Sequence, residues 1–167
     1  MDELLGFRGY DSTVMTQYSD FASEALDSDY WAVSKTFVYY IGEKNSSSWV
    51  EIPVGYLTDG ASVPRIFWNV IPPWGRWGQA AIVHDYLCEY LKIKTSEGEK
   101  SITRKECDDI FLEAMLVIGV PPYKAKMIHG AVAFYRTIAR VKKPSFDQNK
   151  FMVEEALRER YKEYGHF

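Results

Sequence analysis

The segment from Tyr56 to Asp85 reads YLTDGASVPRIFWNVIPPWGRWGQAAIVHD, and its local chemistry decides the fold. It leaves a strand, bends at Thr58-Asp59-Gly60, crosses an aromatic loop and enters a helix that carries His84 and Asp85. Asp59-Gly60 is a turn dipeptide, because the aspartate carboxylate can accept from backbone two residues on and glycine takes positive φ without a Cβ clash. Ser62 is placed to cap a short helix with Pro64 in its first turn, where a missing N–H costs nothing. Ile66, Phe67 and Trp68 would be that helix's buried face, and Pro72, Pro73 and Gly75 stop it. Trp74 and Trp77 extend the aromatic cover; exposed, they would form a surface for glycan stacking or protein docking.

Working outward, the β-branched and aromatic residues from Tyr30 to Ile41 predict one strand, and Gly42 to Ser48 a polar turn. Trp49 to Tyr56 then returns antiparallel, with Val50, Ile52, Val54 and Tyr56 on one side. Two strands cannot stand alone, so helices must cover them. Between Trp77 and Lys92 the residues Trp77, Ala80, Ala81, His84, Leu87, Cys88 and Leu91 form one narrow stripe, with His84 at its centre and Asp85 at its edge. Thr103 and Glu106 make a capping box for the next helix, whose apolar face is Cys107, Ile110, Phe111, Ala114, Met115 and Ile118. Arg104 and Asp108 share one edge of that face, whereas Asp109 points to the opposite side. A third helix is predicted over Lys124 to Val141, with Ile128, Ala131, Val132, Tyr135, Ile138 and Ala139 inward. Ser145 and Gln148 offer a capping box for a last, highly charged helix, either a solvated face or a docking element for a partner.

These elements divide the chain into an acidic N-terminal arm (1–29), an α+β core of a small antiparallel hairpin packed by three to four helices (30–143), and a charged C-terminal helix (144–167). The 167 residues, 47% apolar and 16% aromatic, predict a single packed domain. Net charge is −3, which lends no general electrostatic support to nucleic-acid binding. The two cysteines lie in no disulfide or metal-ligand spacing, and both fall on apolar helix faces, so they read as small core residues. The first twenty residues have neither a basic nor an apolar signal region, and no run of eighteen apolar residues occurs. A soluble protein without a membrane span, made in a reducing cytosol, is the expectation.

Three polar clusters could converge on one site: Thr58-Asp59 with Ser62, His84-Asp85, and Arg104-Asp108. A histidine beside carboxylates can serve as general base or as a ligand to a divalent metal, here with His84, Asp85 and Asp108 as the ligands and His84, Asp85 and Asp59 as the catalytic set. Equally, a histidine centred on an apolar stripe can be a core residue bonded to a neighbouring aspartate. HExxH, GxSxG and GxxxxGK[ST] are absent, which removes common zinc-peptidase, serine-hydrolase and phosphate-loop routes. Cys88 lies four residues from His84, yet a core-facing thiol without a basic neighbour would be poorly ionised. Without catalysis, Asp59 capping backbone, His84 bonding an aspartate and Arg104 pairing with Asp108 would stitch the hairpin to two helices.

The runs VGYLTDGASVPRIFW, AAIVHDYL and RKECDDIFLEAM followed by GV, in that order, resemble a family of small proteins encoded by tailed bacteriophages and prophages, catalogued as a domain of unknown function. The resemblance covers about residues 50 to 120 and places the family's polar set on Thr58, Asp59, Gly60, Ser62, Pro64, His84, Asp85, Tyr86, Arg104 and Asp108. Tyr56 stands where the family has Phe, Cys88 where it usually has Tyr, and Cys107 where it has Ala. It implies a protein synthesised in the bacterial host cytoplasm and residing in the phage virion. There it would act as a tail or adaptor component, with other virion proteins as partners and oligomers open to it. A small metal-dependent hydrolase acting on the host envelope, and a host-cytosolic protein acting against host defence, are the alternatives.

Overall fold

The computed structural model describes residues 9–60, 69 and 78–165. Its architecture is the α+β class that the pattern predicts, with two antiparallel sheets and five helices among the described residues. In chain order these are β1 (Thr16–Tyr18), α1 (Asp20–Leu26), β2 (Trp31–Val33), β3 (Phe37–Tyr40), β4 (Ser48–Ile52), β5 (Leu57–Thr58), α2 (Gly78–Tyr90), β6 (Lys92–Thr95), β7 (Gly98–Ser101), α3 (Arg104–Val117), α4 (Pro122–Ile138) and α5 (Gln148–Tyr164). One sheet runs β1-β2-β5 and the other β3-β4-β6-β7.

The predicted hairpin is present as β3 and β4, with Phe37 opposite Ile52 and Tyr39 opposite Val50, all four buried. The strand expected over Tyr30–Ile41 is instead two strands in different sheets. The chain turns the corner at Ser34–Thr36, where Ser34 N–H donates to the Met15 carbonyl (2.8 Å) and the Thr36 hydroxyl accepts from Val54 N–H (3.0 Å). A β-branched run conceals such a corner, because composition reports strand propensity and not the sheet a strand joins. The β6–β7 hairpin adds a further pair that hydrophobic alternation does not signal, since Ile93 is its one buried residue.

Helix α2 runs through the middle of the core. Gly78 through His84 are all buried, a much wider apolar surface than one stripe, because α2 lies against α3 on one side and β4 on another. Helix α3 carries the predicted capping box in full, Glu106 N–H donating to the Thr103 hydroxyl (3.2 Å) and Thr103 N–H to the Glu106 carboxylate (2.7 Å). Its predicted apolar face is buried. Helix α4 ends earlier than predicted and buries only Ala125 and Ile128 against α3, so Tyr135 and Ile138, expected inward, are 68% and 64% exposed.

From Gly9 onward the chain packs onto its own domain. Tyr10 is buried, tilted against the Tyr39 ring, and its hydroxyl donates to the Ala114 carbonyl (3.3 Å). Gly9, with φ at 88°, admits no other residue, because a Cβ there would meet the Tyr39 ring at 2.9 Å. Asp11 then pairs with the outer edge of β3: its N–H donates to the Val38 carbonyl (3.0 Å) and its carboxylate accepts from Val38 N–H (2.7 Å). The last helix is capped by Asp147, whose carboxylate accepts from Asn149 and Lys150 N–H, and not by Ser145. It docks through Leu157 onto Ala22, Ala32 and Leu57, and through an ion network in which Lys150 bridges Glu89 and Glu154. Glu154 in turn accepts from Leu57 N–H (3.0 Å).

Candidate functional site

The Thr58 hydroxyl accepts from Gly60 N–H (3.2 Å), and Gly60 takes φ of 73°. That hydroxyl also donates to Asp85 Oδ2 (3.3 Å), tying the bend to α2. Asp59 is exposed, and its charge acts on the Asp85 carboxyl. Ser62, Trp74 and Trp77 lie outside the described residues.

His84, Asp108, Arg104 and Asp85 do come together, because α2 and α3 pack side by side with the two motifs facing. They line one open cavity of about 430 Å³ with Cys88, Val132, Tyr135, Arg136, Val141 and Ser145. The His84 ring stacks on Phe111 (centroids 4.5 Å apart, 19° between planes), which fixes its orientation. His84 Nε2 lies 3.0 Å from Asp108 Oδ1 and 3.4 Å from Cys88 Sγ. Arg136 of α4 completes the network by donating from Nε to Asp108 Oδ2 (2.6 Å). The predicted Arg104–Asp108 pair is thereby corrected: Arg104 Nε donates to the Lys143 carbonyl (3.1 Å) and leaves Asp108 to Arg136. Spacing of four on α3 put Arg104 at the right edge; it could not show that α4 delivers a second guanidinium to the same carboxylate.

The electrostatics follow from burial against pairing. Burial lowers the His84 imidazole's affinity for a proton, but hydrogen bonds to Asp108 and Cys88 outweigh it and raise its pKa to about 10. Asp108 is pushed up by burial and down more strongly by His84 and Arg136, so it stays ionised. Asp85 is raised to about 7, chiefly by burial, with His84 and Lys150 opposing. The Cys88 thiol is held well below its ordinary value by hydrogen bonding with Cys107, then, against the cost of burial, by the His84 contact and charge and by Arg104. The expectation of a thiol without a basic neighbour is corrected. The basic neighbours are His84 itself and Arg104, which the i, i+4 spacing and the α3 edge bring to it.

Cys88, Cys107 and Arg136 are thus the members of the cluster that sequence reasoning missed or discounted. The signal for Cys88 was its position four after His84 on one helix face. Arg136 gave none beyond its place on a basic helix. Both anionic partners meet the same ring nitrogen, and His84 Nδ1 is buried without a hydrogen-bond partner among the described residues. A relay of the triad kind needs them on opposite nitrogens. The arrangement holds charges in place and does not pass a proton through the ring. Among the described residues no group of three or more His, Cys, Asp and Glu is placed to hold a metal ion: His84 meets one carboxylate, Asp108, while Asp85 turns to Thr58. No described helix is long and apolar enough to cross a membrane.

A family model described as a protein of unknown function, DUF1353, matches residues 31–132. The uncharacterized protein y4jT of Sinorhizobium fredii is 37% identical to the chain over 95 residues, which make up 56% of this chain and 25% of that protein. The chain therefore spans about a quarter of that relative's length. No solved structure matches it.

Proposed function

We propose that this chain, which belongs to the DUF1353 family of proteins of unknown function, is a structural and assembly component of a tailed-phage particle that docks through the outer face of α4. The observation that carries the reading is that α4 is apolar on two opposite sides. Ala125 and Ile128 face α3, whereas Tyr123, Met127, Phe134 and Ile138 are exposed, the last 64% and Tyr123 70%. At 100° per residue those four span about 60° of the opposite side. An apolar stripe of that extent on a helix that already has one packing partner is the footprint of a second. The phage setting is supported by the three collinear motifs.

Charge names the occupant as a second copy of this chain. Residues 122–143 hold six Lys and Arg and no Asp or Glu, so the other 145 residues carry 14 basic and 23 acidic side chains, net −9. Packing α4 on α4 would oppose like charges, whereas docking α4 against the net-acidic remainder of the next copy is favourable. Such a heterologous contact closes into rings or extends into stacks, both suited to a particle with axial symmetry. The His84–Asp108–Arg136 network serves this by fixing α4 to α2 and α3.

Light scattering coupled to gel filtration, over a range of concentration and salt, tests the reading, together with mass spectrometry of purified particles. Oligomers should grow with concentration, dissociate in roughly 0.5 M salt, and be abolished by Phe134→Glu with the monomer still folded. A chain that stays monomeric throughout and is missing from particles would overturn it.

A further inference from the structure

Cys88 stands outside the docking reading, and the cavity that holds it suits chemistry. Its Sγ sits 3.4 Å from His84 Nε2, on the wall of the open cavity of about 430 Å³. The charged and titratable groups facing that space are His84 and Asp85 from α2, Arg104 and Asp108 from α3, and Arg136 from α4, with Cys107 of α3 adjoining the Cys88 thiol. We propose that Cys88 is a reactive thiolate and that the cavity takes a small carboxylate-bearing soft electrophile, oriented by the guanidinium groups of Arg104 and Arg136.

The geometry supplies both halves of that specificity. The imidazolium, fixed by Phe111 and Asp108, stabilises the sulfur as an anion, so nucleophilicity needs no base to remove a proton during attack. Arg104 and Arg136 each spend their Nε on a protein oxygen, and both guanidinium groups line the cavity, where they can pair with a carboxylate. Three cations, His84, Arg104 and Arg136, face the anions Cys88 and Asp108. Asp85, with its carboxyl raised to about 7, is mostly neutral in mildly acidic solution, which leaves the space net positive. Asp108 ties the histidine to Arg136 and acts as a positioning residue. Cys107 is fully buried and does not line the cavity, so it is the less accessible sulfur.

The test compares iodoacetate with its neutral analogue iodoacetamide on the intact chain, with glutathione as the free-thiol reference. In each case Sγ bonds to the reagent's methylene carbon as the carbon–iodine bond breaks and iodide leaves, and His84 keeps its proton. Peptide mass mapping after brief exposure near pH 6 should find carboxymethylation at Cys88 and not at Cys107, at least about tenfold faster than glutathione. The ratio of iodoacetate to iodoacetamide rates should exceed that of glutathione by roughly three- to tenfold, and Arg104→Gln should return it toward the glutathione value. Because Arg104 also steadies the Cys88 thiolate, Arg104→Gln should slow both reagents but iodoacetate more, and that fall in the ratio separates charge steering from a disturbed fold, which would slow both alike. A Cys88 that reacts only in alkaline solution, or a reagent ratio equal to that of glutathione, overturns the proposal. Neither result bears on the oligomeric state, so this site and the docking face stand or fall separately.

Discussion

Replacing Asp85 with Asn isolates the cost of holding a carboxylate between α2 and the Thr58 bend. Burial is the largest influence on that carboxyl and, with Asp59 and Cys88 adding to it and His84 and Lys150 opposing, raises it from 3.8 to about 7. A raised carboxyl binds its proton more tightly in the folded state than in the unfolded chain. Its contribution is therefore fully favourable below about pH 3.8 and is lost as pH rises through about 7. About three pH units at about 1.36 kcal/mol each sets a ceiling near 4 kcal/mol, and the side chain's partial exposure to water cuts this to about 2 kcal/mol. Asn keeps an acceptor for the Thr58 hydroxyl and carries no charge, so Asp85→Asn should be more stable than the parent by about 2 kcal/mol near pH 8. The difference should shrink to nearly nothing around pH 4. Urea unfolding followed by tryptophan fluorescence across that range measures it. A variant less stable than the parent near pH 8, or a difference that ignores pH, would refute the reasoning, because the charge would then be a net gain drawn from His84.

The pairing of Asp108 can be checked by comparing two alanine variants. Arg136→Ala leaves a buried carboxylate short of its partner and should cost about 3 kcal/mol or more by urea unfolding, whereas Arg104→Ala, which gives up a bond to one carbonyl, should cost about 1 kcal/mol. Equal costs would return Asp108 to Arg104. Tyr10→Ala removes a fully buried ring from the main core and should cost about 3–5 kcal/mol; a loss below about 1 kcal/mol would show the N-terminal segment to be a detachable arm after all.

What was legible in the sequence was what local chemistry determines. Thr103 and Glu106 announced the start of α3 because a capping box is closed within one turn. His84 and Asp108 could be matched because one is centred on its helix face and the other lies at the edge of its own, and two helices that bury those faces bring them together. The failures lie where a third element decides. Ser34–Thr36 sends one β-rich run into two sheets through bonds to Met15 and Val54, neither of them a neighbour in sequence. Tyr135 and Ile138 looked inward because apolar periodicity marks a face without saying what covers it. Cys88 read as inert because its environment was judged from α2 alone, whereas Arg104 and Cys107 reach it from α3.

The rims of the four-stranded sheet carry a consequence for how this molecule can meet others. Along β3 the open backbone is already engaged by Gly9–Asp11, and on the far side β7 is short, fully exposed and carries Glu99 and Lys100. Extended peptides that recognise proteins by adding themselves as one more strand find one rim occupied and the other guarded by charge. Growth of any assembly by β-augmentation at this sheet is therefore closed off, and a partner must engage side chains in place of backbone.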